Sequence, residues 1–191
     1  LEIIGNIKNN SKVILDYAHT PDALKYTLES IKEQFNKSDI SIVFGCGGDR
    51  DKDKRSIMGK IANQYCNKIF LTDDNPRYEN PKKIRNQIKK KINRSKLVEI
   101  SSRKKAIRMA IENLNSGDIL LVAGKGHEIY QEYKGKKKIF SDKKYILKEI
   151  NSKNIKLFKN WKANILNEKC NLSLVNKKLK INKASINSKN I

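Results

Sequence analysis

Asp73, Asp74, Asn75, Pro76 and Arg77 follow directly on the apolar run 68–72 (KIFLT). Two carboxylates, an amide and a guanidinium at fixed spacing read as a binding loop. Pro76 stiffens it and pushes Asn75 out of helical geometry. Arg77 offers a planar fork that matches a carboxylate, and Asp73 and Asp74 offer acceptors for an ammonium group. A loop carrying both signs suits a zwitterion such as an amino acid. Taken alone, the same residues would also serve as a capped strand-to-helix turn, with Asp and Asn satisfying backbone groups.

Three other segments have the same layout, an apolar run ending in polar residues. Run 12–15 (KVIL) leads into Asp16-Tyr17-Ala18-His19-Thr20-Pro21, run 40–44 (ISIVF) into Gly45-Cys46-Gly47-Gly48-Asp49-Arg50, and run 118–122 (DILLV) into Ala123-Gly124-Lys125-Gly126-His127-Glu128. The glycines at 45, 47 and 48 let backbone N–H groups approach an anion, with Arg50, Lys52, Lys54 and Arg55 adding cations. Neither glycine segment has dinucleotide-fingerprint or Walker spacing. Glu128 suits a substrate ammonium or a metal-bound water, and His19 either contacts a nucleotide or caps a helix; the residues alone leave both choices open.

These loops need a frame that brings them together. Each apolar run reads as a buried parallel strand. Helical spacing follows over 22–35, 55–65, from Pro81 through Ile92, and over 102–114, and a short strand is expected at 96–100. Strand and helix alternating at this rhythm predict an α/β fold, a doubly wound and mostly parallel Rossmann-like sheet. The four polar loops then lie along one sheet edge, beyond the carboxyl ends of the strands, where open α/β sheets bind ligands. A hairpin is expected over 129–140 around Lys134-Gly135, and Ser141-Asp142 should cap a last helix to Ile150. The rhythm stops there, giving a domain at 1–150 and a Lys-, Asn- and Ser-rich extension at 151–191, with strand candidates at 172–175 and 179–181.

The net charge is +22 over 191 residues, which raises the possibility of a nucleic-acid-binding module. The excess is mostly Lys and is spread along the chain without arginine–aromatic clusters, so solvated faces account for it better and no nucleic-acid partner is expected. No apolar run reaches the roughly eighteen residues of a membrane span. Three cysteines, Cys46, Cys66 and Cys170, lack metal-ligand spacing, so no metal site is expected and a reducing cytoplasm fits. The start, Leu1-Glu-Ile-Ile-Gly5, has neither an initiator Met nor a signal pattern and reads as the interior of a longer protein.

In their order and approximate spacing, segments 16–24 (DYAHTPDAL), 43–55 (VFGCGGDRDKDKR), 72–77 (TDDNPR) and 122–128 (VAGKGHE), with Ser141-Asp142, closely resemble the C-terminal domain of the Mur ligases, within them the MurE type. The resemblance covers about residues 1–150. It implies an ATP-dependent amide ligase of peptidoglycan-precursor synthesis, which activates a UDP-muramoyl-dipeptide carboxylate as an acyl phosphate for attack by the amine of meso-diaminopimelate. By the same resemblance Arg50, Asp74, Asn75, Arg77, Gly124 and Glu128 form the amino-acid pocket, while Asp16 and His19 meet the nucleotide when domains close. ATP and Mg would be bound mainly by a central domain, and the UDP group by an N-terminal one, both outside this sequence. The fragment alone should therefore be inactive. A lysine-adding ligase of the same family is the nearest alternative, but lysine has no far carboxylate for Arg77. Segment 179–191 is faintly similar to the start of a MurF-type ligase, with Asn187-Ser188-Lys189 as a loose match to its turn, as if two successive ligases were fused.

Overall fold

The structure is a computed structural model that describes residues 1–162 and 164. The chain divides into two units, Leu1–Lys153 and the residues from Asn154 onward.

In the first unit the apolar runs form β2 (Lys12–Asp16), β3 (Ile40–Phe44), β4 (Lys68–Leu71), β5 (Leu97–Glu99) and β6 (Ile119–Ala123). All five are parallel to their neighbours, in the order β2-β6-β3-β4-β5. β1 (Glu2–Asn6) adds an antiparallel strand beside β2, with a register shift between Ile3 and Gly5. The sequence pattern predicts no strand there. The segment is largely exposed and carries no alternation, because an edge strand takes its shape from the ladder it joins. A Cβ at Gly5 would lie 3.2 Å from Ile150 Cδ1, so the segment also passes close to that side chain.

Helices cover both faces of the sheet, as buried parallel strands require. On one side are α1 (Pro21–Gln34), α2 (Asp53–Tyr65) and α3 (Pro81–Ile88), followed by a 3-10 turn at Lys89–Lys91. Leu24, Leu28, Met58, Ala62, Ile84 and Ile88 share a core with Ile40, Ile42 and Phe44. Thr20 caps α1 and Pro21 occupies its first turn, where a missing N–H costs nothing. α4 (Arg103–Glu112), capped by Ser102, packs on β3, β4 and β6. The sheet's register brings Asp16 beside Ala123, Val43 beside Val122 and Phe44 beside Leu71. Four strands therefore end level with one another, and the loops that follow them must converge.

β7 (Tyr130–Tyr133) and β8 (Lys136–Ile139) form the expected hairpin. Lys134 and Gly135 both have positive φ, 48° and 70°, the conformation of a type I′ turn that matches strand twist. Ser141 Oγ accepts from Lys144 N and opens α5, which begins at residue 142. The helix passes Ile150 and reaches the end of the unit, since no Pro or Gly interrupts it. Lys153 Nζ caps the exit of α4, donating to the carbonyls of Ile111 at 2.8 Å and Leu114 at 2.6 Å. In the second unit residues 154–162 are helical, with Phe158 and Trp161 rings 6.1 Å apart. The strand candidates at 172–175 and 179–181, Cys170 and the turn at 187–189 lie outside the described residues.

Candidate amino-acid site

All six residues expected to bind the amino acid, Arg50, Asp74, Asn75, Arg77, Gly124 and Glu128, line one cavity of about 300 Å3 at the carboxyl ends of the strands. His19 lines it too. Asp16 does not; its Oδ1 accepts from Ala18 N at 2.8 Å and closes the turn after β2.

The binding loop is held by the hairpin. Glu132 N donates to Asn75 Oδ1 at 3.0 Å, and Gln131 Nε2 donates to the carbonyls of Asp73 and Asp74. Arg77 N donates to the Glu132 carbonyl, and Lys134 N to the Arg77 carbonyl. This bridge holds Arg77 at φ +50°, a region that L-residues rarely occupy and that recurs at ligand clamps. The Arg77 side chain is about three-quarters buried. Its Nη1 donates to the Gly48 carbonyl at 2.7 Å, and its Nε lies 3.7 Å from Glu132 Oε2.

Lys125, fully buried between two glycines, ties the two polar loops together. Its Nζ donates to Asn75 Oδ1 at 3.0 Å and to Glu128 Oε2 at 2.7 Å. Asn75 Nδ2 donates to the same Glu128 oxygen at 3.0 Å. Burial works against the Glu128 charge, but these hydrogen bonds and the nearby Arg77 outweigh it and hold the carboxyl below its usual range. Both donors use Oε2, which leaves Oε1 for a ligand. Nothing in the local spacing around Lys125 signals its burial.

The two neighbouring aspartates have opposite fates. Asp73, read from the sequence as an ammonium acceptor, is committed to the Arg85 guanidinium and the Tyr133 hydroxyl. Burial raises its carboxyl above the ordinary value, with Arg85 opposing the shift. Asp74 uses Oδ1 to accept from Asn75 N at 2.7 Å, and its buried Oδ2 has no hydrogen bond. An acceptor buried without a partner is costly unless something else fills the place.

The glycine loop closes the cavity by close backbone approach. A Cβ at Gly45 would sit 2.2 Å from the Thr72 carbonyl oxygen, and one at Gly48 would sit 2.0 Å from that of Pro76. Gly48 N donates to the Asn75 carbonyl at 2.9 Å. These glycines therefore serve loop-to-loop contact, and the Gly48 N–H is spent on it. Arg55 reinforces the contact: it is fully buried, and its Nη2 donates to the Gly47 carbonyl and to Glu79. Arg55's hydrogen bonds hold the Glu79 carboxyl down at about 2. A depressed carboxylate stabilises fully above its unfolded value of about 4.3 and loses that contribution as pH falls through its folded value. Glu79→Gln should therefore lower stability at neutral pH by about 1 kcal/mol, the upper end for a solvent-reached pair. It should also flatten the loss between about pH 4 and pH 2, which thermal melting across that range checks.

Lys54, one of the cations expected beside the glycine loop, also lines the cavity, as do Tyr17, Cys46 and Asp51, which carry no distinct signal in the sequence. Tyr17 lies between His19 and His127, with ring centroids 4.7 and 6.0 Å away. Burial pushes the Cys46 thiol up to about 12, so it acts as packing. A larger cavity of about 480 Å3 lies against Tyr78, Lys134, Lys136 and Lys138, but its one carboxylate, Glu79, is taken by Arg55. Arg77 lines both, and the smaller cavity adds a second guanidinium, Arg50, and the carboxylates of Asp74 and Glu128. Among the described residues no cluster of three or more His, Cys, Asp or Glu could hold a metal ion, and no helix is long and apolar enough to cross a membrane.

The doubly wound α/β domain thus places a mixed-charge cavity beyond its strand ends, the position at which open α/β sheets bind ligands. Residues 1–126 match the family described as Mur ligase, glutamate ligase domain, and the chain belongs to that family. It is 50% identical over 141 residues to the UDP-N-acetylmuramoyl-L-alanyl-D-glutamate–2,6-diaminopimelate ligase of Rickettsia conorii, covering 73% of this chain and 29% of that protein. It is 54% identical over 137 residues to the ligase of the same name from Wigglesworthia glossinidia brevipalpis, covering 71% of this chain and 27% of that protein. A solved structure of a ligase of that name superposes with a TM-score of 0.73 at 39% identity, covering 79% of this chain and 31% of that one. The chain thus spans under a third of the length of these relatives.

Proposed function

We propose that this chain is the amino-acid-binding, lid-like C-terminal domain of an ATP-dependent amide ligase. The ligase would add meso-diaminopimelate to UDP-N-acetylmuramoyl-L-alanyl-D-glutamate in peptidoglycan-precursor synthesis. The observation that carries the reading is the single cavity where Arg50 and Arg77 face the same space as Asp74 and Glu128. Meso-diaminopimelate has an ammonium and a carboxylate at each end, so a wall of both signs fits it. A guanidinium pairs a far carboxylate in bidentate fashion, whereas lysine has none and would leave Arg77 without that partner.

In this reading residues 1–150 carry the amino acid and the remainder is a linker or extension. The terminal carboxylate of the UDP-muramoyl-dipeptide is activated with ATP, and the bound amine attacks the acyl phosphate, giving an amide, ADP and phosphate. ATP and Mg are held mainly by parts of the ligase outside this chain, which supply that activation. His19, in the cavity wall, and Asp16, at the end of β2, come to the nucleotide on closure. The setting is the cytoplasm, where the nucleotide-linked precursor is made. The Lys-rich surface is solvated and needs no nucleic-acid partner.

The test is ATP-dependent ligation by a ligase of the relatives' full length carrying this domain, with meso-diaminopimelate and L-lysine side by side. A strong preference for diaminopimelate is expected. Preference for lysine would keep the reaction and overturn the role of Arg77, and turnover with neither would overturn the function.

A further inference from the structure

Arg103 opens α4 and is fully buried. Its Nε and Nη2 form a fork on Asp142, at 2.8 and 2.7 Å, and Nη2 also donates to the Ala123 carbonyl at 2.9 Å. Asp142 is itself fully buried. Burial works against the Arg103 charge, and the Asp142 carboxylate more than offsets it. One nitrogen remains: Nη1 has no hydrogen bond and lies 3.9 Å from Asp74 Oδ2, which has none either.

That distance is too long for a hydrogen bond and short enough for strong charge attraction in a buried setting. With Nε and Nη2 clamped, the guanidinium cannot advance to take the Asp74 oxygen. Asp74, a residue of the cavity wall, thus has the opposite charge that a buried carboxylate requires, while Oδ2 keeps its hydrogen-bonding capacity unspent. Glycine at 124 keeps the cavity wall close to that buried oxygen; a Cβ there would lie 3.2 Å from it. Ala123 ends β6 immediately before this glycine, so Arg103 also ties the strand end to the binding loop.

We propose that Arg103, fixed by Asp142, is a positioning residue that holds Asp74 Oδ2 as a free, charge-supported acceptor for the ammonium group of the incoming amino acid. The inference rests on the amino-acid-binding reading above. It gives the buried Asp142 a part in substrate binding although it touches no ligand.

The test uses the full-length ligase, after turnover of meso-diaminopimelate by the unaltered enzyme has been measured. No turnover at that stage would sink the functional reading itself. Asp142→Asn and Arg103→Lys keep approximate size and, for lysine, charge, but break the fork. Each should raise the KM for meso-diaminopimelate roughly tenfold, within the range for members of one charge network, while the KM for ATP stays within about twofold. In an Asp74→Asn background the same substitutions should have little further effect on that KM. Additive effects, or a fall in kcat with both KM values unchanged, would overturn the proposal. If Arg103→Lys fails to fold, Asp142→Asn with and without Asp74→Asn completes the same cycle.

Discussion

Arg77→Ala in the full-length ligase is expected to raise the KM for meso-diaminopimelate roughly a hundredfold, about 2.7 kcal/mol, and to leave the KM for ATP within about twofold. Arg77 lines the cavity, and Gly48 and Glu132 fix its guanidinium before a ligand arrives, so little side-chain entropy remains to be lost on binding. Removing it leaves a ligand carboxylate in a partly desolvated cavity without its partner, which costs more than losing an exposed pair. Alanine retains the Cβ that arginine already places at φ +50°, so it adds no new backbone strain. Steady-state kinetics with each substrate varied in turn check the result. Equal rises in both KM values would remove Arg77 from the pocket.

Gly48→Ala should have the largest effect on folding, about 3 kcal/mol, because the new methyl would lie 2.0 Å from a backbone oxygen that cannot rotate away. Pro76 stiffens that backbone, and the Gly48–Asn75 hydrogen bond crosses the same gap. The loops must separate, so use of the amino acid should weaken along with stability. Gly117→Ala is the control. Gly117 has φ +81°, and nothing lies within 4 Å of the place a methyl would take, so alanine there strains the backbone without touching the cavity. Its melting temperature should fall by a few degrees, as about 1 kcal/mol implies, with the KM for diaminopimelate unchanged. A Gly48→Ala ligase with normal stability and kinetics would show that the two loops are not in contact.

The strands, the helices and the cavity-facing loops were legible in the sequence for identifiable reasons. β3, β4 and β6 are runs of Val, Ile, Leu and Phe bounded by polar turns, and Thr20-Pro21 and Ser141-Asp142 carry helix-start signals. β1 was not legible, since it holds its shape by pairing with β2. Nor were the roles of the buried cations. Arg55 reads as a cation open to an anion at the glycine loop, and Arg103 and Lys125 look like ordinary surface charges, yet each is buried where a carboxylate from a distant or neighbouring turn meets it.

Residue order alone was enough for the α/β class, which depends on local spacing, and for the family resemblance, which pointed to Arg50, Asp74, Asn75, Arg77, Gly124 and Glu128 in the cavity wall. How those residues share the work emerges only in the folded chain. Asp73 and Asp74 are adjacent and chemically identical, yet one is committed to Arg85 and the other keeps an oxygen without a partner. That division follows from placing β6 between β2 and β3, which brings the Gly124–Glu128 loop and Arg103 against the loop after β4. Strand order depends on how helices pack across the sheet, a long-range balance that no local spacing encodes.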